Sequence, residues 1–198
     1  MYQNVIFDYG NTLAAYIERD IARRFVNDEA DAALFGEVFF DRLYFDRLDD
    51  GTITNEEWFE AAAKRLPERL HPVMKAAADG WYRDLPDIPG MGAVVARLHA
   101  SGRGVYLLSN ISREFAAAAH ELPMLQCFDG MVMSGPIGIV KPERGIYEHL
   151  LGKYGLDPAT CVFVDDRAVN IEGARAVGIA GYLFDGNASR LMDFLFEE

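Results

Sequence analysis

Cysteine is scarce in this chain of 198 residues, which contains only Cys127 and Cys161. Neither residue belongs to a Cys-x-x-Cys pair or to a Cys/His cluster with the spacing of a zinc site. The sequence therefore argues against a disulfide framework and against a structural zinc. We expect both cysteines to be small buried hydrophobic side chains in a reducing compartment.

Long apolar runs are also lacking. No stretch approaches the roughly 18 consecutive apolar residues that a membrane-spanning helix needs. The first residues, Met1 to Asn4, carry no basic charge and lead directly into a strand-like segment, so no signal peptide is expected. These features predict a cytoplasmic protein that does not bind a membrane.

Basic residues are few relative to acidic ones. The chain has 19 Lys and Arg against 31 Asp and Glu, a formal net charge of −12. This surplus argues against non-specific binding to nucleic acid or to an anionic membrane surface. It also repels an anionic substrate at long range, so a phosphate site would have to be local, made by a metal and a few cations. The glycine motifs of nucleotide-binding loops are absent, and no two histidines stand four residues apart as in a zinc helix.

Short apolar runs alternate with helical patterns over most of the chain, and they predict the fold class. Strands are predicted at residues 5–7, 105–108, 131–133, 161–164 and 181–184, and helices at 91–100, 113–122, 143–154 and 171–177. Strands that alternate with helices are typical of a parallel sheet covered on both faces. We therefore predict an α/β protein with a Rossmann-like parallel sheet.

A long helical stretch follows the first strand and interrupts this alternation. From about Ala14 to Leu85 the apolar residues recur at three- and four-residue steps, and Thr54 and Glu57 form a predicted capping box. We interpret this stretch as an inserted all-helical cap. The predicted domains are a Rossmann-like catalytic core of residues 1–13 and 87–198 and a helical cap of residues 14–86.

Polar residues follow the predicted strands at the points where the strands end. Asp8, Ser109 and the pair Asp165-Asp166 come directly after apolar runs, and Lys141 follows the turn at residues 135–138. The carboxyl ends of parallel strands form the ligand crevice of such sheets, so these residues are expected to converge. The set suits phosphoryl transfer, which needs cations and hydrogen-bond donors around three charged oxygens.

The chemistry can be assigned residue by residue. An ionised Asp8 can attack phosphorus and form an aspartyl-phosphate that water then cleaves. Carboxylates at Asp8 and Asp166, with a carbonyl oxygen, suit Mg²⁺, which would offset the repulsion between two anions. Ser109 and Lys141 would bind the phosphoryl oxygens.

Four segments of the chain resemble the four signatures of the haloacid-dehalogenase-like superfamily. They are Phe7-Asp8-Tyr9-Gly10-Asn11-Thr12-Leu13, Leu108-Ser109-Asn110, Lys141-Pro142, and Val164-Asp165-Asp166 with Asn170. The helical insertion stands where members of the first cap subclass carry theirs. The Asp-x-Gly-Asn start and the Asn-Ile-Glu-Gly-Ala segment are similar to bacterial phosphatases that release glucose from glucose 1-phosphate.

This resemblance implies a role for each residue of the candidate site. Asp8 would be nucleophile and metal ligand, Gly10 would offer its carbonyl to Mg²⁺, and Asp166 would be the principal ligand. The remaining roles are Asp165 as an alternate or supporting ligand, Asn170 as support for that loop, and Ser109, Asn110, Lys141 and Asn11 as phosphate- or substrate-binding residues. The implied function is Mg²⁺-dependent hydrolysis of a small phosphorylated metabolite, most plausibly a sugar phosphate.

One position departs from the family pattern. Most phosphatases of this superfamily carry a second Asp two residues after the nucleophile as general acid and base, and here that position is Gly10. Three explanations remain open. In the first, water protonates the leaving group or that group needs little help. In the second, a cap carboxylate near Asp49-Asp50 or Glu56-Glu57 replaces the missing acid. In the third, hydrolysis is slow and the protein mainly binds phosphate. The preferred interpretation of residues 49–51 is a solvated turn.

Other functions are compatible with parts of the pattern. A haloacid dehalogenase would share the nucleophile, Ser-Asn and Lys, but it needs no metal and typically carries serines where this chain has Asp165-Asp166. A phosphorelay receiver would place its acidic pair first in the chain, and a phosphomutase would pass the phosphoryl group to a sugar. A non-catalytic phosphate- or partner-binding protein is suggested by Gly10. The sequence does not specify the oligomeric state.

Overall fold

The centre of the molecule is a five-stranded sheet in which all strands run parallel. The computed structural model describes residues 2–197. The strands are β1 (Asn4–Phe7), β2 (Gly104–Ser109), β3 (Gly130–Met133), β4 (Cys161–Asp165) and β5 (Ala180–Leu183), in the spatial order β3-β2-β1-β4-β5. Each strand is short and rich in apolar residues, as expected where a sheet is buried on both faces. The predicted Rossmann-like α/β fold is confirmed.

Five helices separate β1 from the rest of the sheet. They are α1 (Glu18–Phe25), α2 (Glu29–Phe39), α3 (Arg42–Asp49), α4 (Asn55–Ala63) and α5 (His71–Ala78). Their apolar faces enclose a hydrophobic cluster of their own, in which Trp58 packs edge-on against Phe39 at 4.7 Å between ring centroids. The predicted capping box is present at the start of α4, where Thr54 and Glu57 bond each other's backbone N–H.

Six further helices belong to the part of the chain that follows. They are α6 (Met91–Ala100), α7 (Arg113–Ala118), α8 (Ser134–Ile137), α9 (Arg144–Tyr154), α10 (Ala168–Arg175) and α11 (Ala188–Phe196). The segment predicted as one helix at 113–122 changes to a 3₁₀ turn after Ala118, and α11 was not predicted.

Alternate residues of the central strand enter two different hydrophobic clusters. Val5 and Phe7 pack in the cluster that includes α6 and α11, while Ile6 packs in the cluster that includes α9 and α10. The alternation follows from the two-residue period of a strand, which points successive side chains to opposite faces. Helices therefore cover the sheet on both sides, and all three residues are fully buried.

The separate hydrophobic cluster of α1 to α5 is what a second folding unit requires. We propose on this basis that residues 14–86 form a cap and that residues 1–13 and 87–198 form the core, of which Met1 and Glu198 lie outside the described residues. Within residues 2–197 no helix is long and apolar enough to cross a membrane. The cytoplasmic location stays a prediction.

The turn that follows α3 is packed against the core. Ser134 Oγ donates to the Asp49 carbonyl oxygen at 2.5 Å, and a Cβ added to Gly51 would lie 2.5 Å from the Gly135 carbonyl oxygen. Asp49, Asp50 and Gly51 are all partly buried. The prediction of a solvated turn at residues 49–51 is therefore wrong, because the turn is covered by a segment that is 85 residues distant in the chain.

The two cysteines differ in their surroundings. Cys161 begins β4 and is buried, as predicted, whereas Cys127 is exposed. Cys127 ends a short 3₁₀ turn on the surface in which Leu125 is the buried residue. The prediction that both cysteines are buried is thus wrong for Cys127, since its short turn has room for one inward-facing side chain.

The close approach at Gly51 yields a prediction with a built-in control. Gly51 and Gly102 both adopt a left-handed backbone, with φ of 71° and 73°, but a Cβ on Gly102 would meet nothing within 4 Å. We expect Gly102→Ala to cost about 1 kcal/mol of unfolding free energy from backbone strain alone. Gly51→Ala should cost roughly 1–3 kcal/mol more, because the methyl group must also displace core atoms. Urea unfolding measures both; equal losses would show that the turn does not press on the core.

Candidate active site

Asp8 lies just after β1 and is the centre of a hydrogen-bonded group. One of its carboxylate oxygens, Oδ1, accepts from the Tyr9 backbone N–H, from Ser109 Oγ and from Lys141 Nζ, each at 2.7 Å. Among residues 2–197 no hydrogen bond reaches the second oxygen, Oδ2. Asp8 is only 8% exposed. The side chain is therefore held through one oxygen while the other is left available for chemistry.

Lys141 joins Asp8 to a second buried carboxylate. Its ammonium group lies 2.8 Å from Asp165 Oδ2, and both side chains are buried. Asp165 also accepts from the Arg167 N–H at 2.8 Å and from Asn170 Nδ2 at 3.0 Å to each oxygen. Both oxygens of Asp165 are thus already occupied, and the predicted supporting role of Asn170 agrees with its two contacts.

Asn110 holds the backbone of Lys141 in place. Its Oδ1 accepts from the Lys141 N–H at 2.8 Å, and its Nδ2 donates to the Lys141 carbonyl oxygen at 3.1 Å. Two bonds in opposite directions to one residue fix both the position and the orientation of that residue. The side-chain amide of Asn110 is therefore used within the protein, and a phosphate contact by this residue would have to come from its backbone N–H.

A tight turn after β1 brings the remaining residues of the first segment to the site. The Leu13 and Ala14 N–H groups both donate to the Tyr9 carbonyl oxygen. Asn11 takes a left-handed conformation with φ of 55°, and its Oδ1 accepts from the Tyr16 N–H at 2.9 Å. Such strain in a residue other than glycine is frequent at functional sites.

Three carboxylates meet at the edge of the sheet. Asp8, Asp165 and Asp166 each offer an oxygen within 4.8 Å of the others. This follows from the strand register, because Phe7 is paired with Val164 and the residues that come next are therefore level. Oxygen donors at this separation suit a hard divalent cation, so the residues present fit a magnesium ion.

The electrostatics of the group are unbalanced. Three carboxylates share one ammonium group, since Lys141 is the cation that contacts Asp8 and Asp165. Burial raises the pKa of Asp8, and the charge of Lys141 only partly opposes this. Burial and the neighbouring Asp165 likewise raise the pKa of Asp166. Burial would lower the pKa of Lys141, but Asp8 and Asp165 outweigh it and raise that pKa. An added cation would relieve this excess of negative charge.

A cavity of about 480 Å³ opens over this group, and residues of the cap line part of it. Eight of the nine predicted site residues line it, namely Asp8, Gly10, Asn11, Ser109, Asn110, Lys141, Asp166 and Asn170. Asp165 is fully buried behind them. Residues that lie as far apart as 8 and 170 in the chain are therefore brought to one cavity.

Apart from Asp49 and Asp50, which the sequence offered as one replacement for the missing acid, the rest of the cavity wall was not predicted as part of the site. Its apolar lining residues, which we call the apolar wall, are Phe45, Trp81, Leu85, Ile111 and Phe115. Its polar lining residues from the cap are Tyr16, Arg42, Asp46, Asp49 and Asp50. The helical period predicts such aromatics as packing residues, and Trp81 does pack against Phe45 and Phe115 at 5.6 and 5.8 Å. Periodicity cannot show that a packing residue also faces a cavity.

The buried lysine yields a stability prediction. Lys141→Ala removes the only ammonium group that contacts Asp8 and Asp165 among the described residues. We expect a loss of about 3–5 kcal/mol at neutral pH, because two buried carboxylates lose their partner. Without the lysine charge, the folded-state pKa of Asp8, which burial already raises, lies further above its unfolded value. The loss should therefore shrink as the pH falls and Asp8 takes up a proton.

Chemical unfolding at several pH values measures this effect. Lys75→Ala is the matched control, since Lys75 is exposed and its removal should change stability by about 0.5 kcal/mol or less. A Lys141→Ala loss as small as that of the control, or one that does not depend on pH, would contradict the role assigned to the ammonium group.

Known proteins resemble the chain in both sequence and structure. It is 34% identical over 95 residues to a sesquiterpene phosphatase of Aspergillus oryzae, an alignment that covers 46% of this chain and 47% of that protein. It is 36% identical over 69 residues to a phosphatase of Mycobacterium tuberculosis, over 35% of this chain and 30% of that protein. The chain thus spans about half or less of the length of these relatives.

Solved structures share the fold over nearly the whole chain. A HAD family enzyme of Bacteroides thetaiotaomicron, crystallised with magnesium and inorganic phosphate, superposes with a TM-score of 0.77 at 20% identity, covering 96% of this chain and 99% of that one. An L-2-haloacid dehalogenase of Xanthobacter autotrophicus gives 0.66 at 22% identity, covering 91% and 76%.

The sequence itself carries the assignment to a family. The family model described as haloacid dehalogenase-like hydrolase matches residues 2–178, which include β1, the helical stretch after it and every residue of the candidate site. This chain belongs to the haloacid dehalogenase-like hydrolase family.

Proposed function

We propose that this protein is a magnesium-dependent phosphatase that hydrolyses a small phosphomonoester through an aspartyl-phosphate on Asp8. The observation that carries the proposal is the state of the Asp8 carboxylate. Three donors hold Oδ1, and Oδ2 has no partner among the described residues. A nucleophile needs this combination, in which the attacking atom is free and the rest of the group is fixed.

Magnesium would be held by Asp8 and Asp166, with the backbone carbonyl of Gly10 as a third protein ligand. When bound, Mg²⁺ supplies positive charge that offsets the repulsion between the Asp8 carboxylate and the phosphoryl oxygens. Asp165 is the less suitable ligand, because it is fully buried and does not line the cavity, and its oxygens accept hydrogen bonds from Lys141, Asn170 and Arg167. Its contacts suit the positioning of Lys141.

The protein's own groups then perform the transfer. Asp8 Oδ2 forms a bond to phosphorus while the bond to the leaving-group oxygen breaks. Lys141 and Ser109 lie at hydrogen-bond distance from Asp8, so each can donate to an oxygen of the phosphoryl group that Asp8 attacks. Water afterwards attacks phosphorus, which releases inorganic phosphate and restores Asp8.

The acidic cluster favours a phosphatase over a haloacid dehalogenase. Both kinds of enzyme share this fold, so the fold does not decide between them. Dehalogenation attacks carbon without a metal, and a site for it would gain nothing from Asp166 beside Asp8. Three carboxylates within 4.8 Å are costly to keep ionised unless a cation joins them. The relatives named as phosphatases support the same assignment.

Two classes of substrate body fit different parts of the cavity. A sugar phosphate, which the sequence motifs favour, would direct its hydroxyl groups to the polar cap side chains, such as Arg42 and Asp46. A phosphomonoester with an apolar body is the second candidate. The apolar wall favours it, and a relative of the chain is named as a sesquiterpene phosphatase.

Removal of the nucleophile tests the reaction. Asp8→Asn keeps the size of the side chain but cannot form an aspartyl-phosphate, so magnesium-dependent hydrolysis of p-nitrophenyl phosphate should be abolished. Asp79→Asn, on the exposed end of α5, is the matched control and should retain wild-type turnover. Both variants should unfold cooperatively on heating. Persistent turnover in Asp8→Asn would exclude the nucleophile, and halide release from 2-haloacids by the wild type would exclude the phosphatase.

The substrate body is tested by changing the apolar wall. Leu85 lines the cavity and is half-buried, and Leu85→Asn makes this part of the wall polar. If the body is apolar, kcat/KM for an isoprenoid monophosphate should fall about tenfold, which corresponds to roughly 1.4 kcal/mol of lost apolar burial. The value for glucose 1-phosphate should change much less. A larger fall in kcat/KM for glucose 1-phosphate than for the isoprenoid monophosphate would favour the sugar phosphate.

A further inference from the structure

Gly10 stands where a general acid is expected, so a phosphatase of this kind needs a proton donor from elsewhere. We propose that Asp49, at the end of α3, protonates the leaving-group oxygen and later takes the proton of the attacking water. This inference rests on the proposed phosphatase function and adds a residue to it. Asp49 lines the same cavity as Asp8, and it belongs to the cap, which faces the core across that cavity.

The position of Asp49 is fixed by the core. Its carbonyl oxygen accepts from Ser134 Oγ at 2.5 Å, and the same Oγ accepts from the Ile111 N–H at 2.9 Å. Ile111 follows Ser109 by two residues, so Ser134 bonds both Asp49 and the loop that begins just after Ser109. The Gly51 contact with Gly135 presses the next part of the turn onto the same segment. A catalytic group needs this kind of support from a rigid element.

Asp49 is also the cap carboxylate that remains available. Among the described residues its side chain makes no hydrogen bond and no ion pair. Asp46, by contrast, is paired with Arg42 at 3.0 Å, and Asp50 Oδ1 accepts from the Thr52 N–H at 2.8 Å. Glu57 is occupied by the capping box of α4. Of the carboxylates that the cap offers to the cavity, Asp49 is therefore the one that is free to act on a substrate.

The surroundings of Asp49 favour the protonated form that a general acid requires. Burial raises its pKa well above the usual 3.8, and the negative charges of Asp46, Asp8 and Asp50 raise it further, while Arg42 lowers it. Tyr16, from the segment before α1, is a further titratable group that lines the cavity, and the charge of Asp49 acts on it. A raised pKa brings a carboxyl group closer to the working pH of the enzyme, where it can both donate and accept a proton.

The proposed steps balance in atoms and electrons. In the first, Asp8 Oδ2 forms the bond to phosphorus, the electron pair of the broken bond goes to the leaving oxygen, and that oxygen takes the proton of Asp49. In the second, a water oxygen forms its bond to phosphorus and gives a proton to Asp49. The electron pair of the bond between Asp8 and phosphorus then returns to Asp8, and both side chains are as they were at the start.

A pair of aryl phosphates tests the assignment. Phenolate is a poor leaving group that benefits from protonation, whereas p-nitrophenolate leaves as a stable anion. With Mg²⁺ present, Asp49→Asn should lower kcat/KM for phenyl phosphate by about 10²–10³-fold, in the range of general acid catalysis. For p-nitrophenyl phosphate, kcat/KM of the same variant should fall less than about threefold. kcat/KM is the informative quantity because it covers the steps up to the aspartyl-phosphate and excludes its hydrolysis.

Two further variants complete the test. Glu56→Gln removes a carboxylate from the exposed face of α4, outside the cavity. It should leave kcat/KM unchanged for both aryl phosphates. Asp49→Glu keeps a proton donor in the turn and should restore part of the rate with phenyl phosphate. Equal losses on the two aryl phosphates in Asp49→Asn, or no loss on either, would overturn the role of Asp49.

The inference and the proposed function fail in distinguishable ways. If the wild type shows no magnesium-dependent turnover that Asp8→Asn abolishes, the phosphatase is excluded and the role of Asp49 falls with it. If that turnover is present but the leaving-group effect is missing, only the role of Asp49 is excluded. Thermal unfolding of Asp49→Asn shows whether a lost rate reflects a lost fold.

Discussion

The ion pairs between Lys141 and the two buried carboxylates are the interaction on which the site depends. Removing three charged groups from water is costly, and the cost is met only if each group finds close partners. Lys141 lies 2.7 Å from Asp8 and 2.8 Å from Asp165, and Asn110 and Asn170 hold its backbone and its second partner. The one ammonium group leaves negative charge in excess, which a metal cation would offset before an anionic phosphate group binds.

The parallel sheet makes these contacts possible. Phe7 is paired with Leu107 on one side and with Val164 on the other, so three neighbouring strands end within two residues of one another. Short side chains that follow the strand ends can then touch across the sheet edge. Residues of the cap line the space above them, and Ser134 ties the turn after α3 to the loop after β2. The candidate site is therefore built on strand ends, while the turn from the cap is held by the Ser134 hydroxyl group and by the close approach of Gly51 to Gly135.

Most of the fold can be predicted from local patterns, because hydrophobic periodicity and turn-forming residues each depend on only a few neighbouring residues. The strands, most of the helices and the capping box at Thr54 were predictable in this way. The failures share a physical cause. The turn at Asp49 was predicted to be solvated because its residues are polar, and the local sequence does not show that the α8 segment packs against it. Cys127 was predicted to be buried because cysteine usually is, and no neighbouring residue indicates that it is exposed. Trp81 was predicted to pack, which it does, but that it also faces the cavity depends on helices distant in sequence.

The sequence by itself determined the kind of chemistry that we propose, since the residue types after the strands and their order along the chain point to an aspartate nucleophile with acidic metal ligands. Only the tertiary structure decided how those groups are used. Asp165 and Asp166 are adjacent in the chain, yet one is buried behind Lys141 and the other faces the cavity, because successive residues at a strand end point in opposite directions. Likewise, the place of Asp49 over the site depends on the packing of cap against core, and contacts between segments so far apart leave no periodic trace in the sequence.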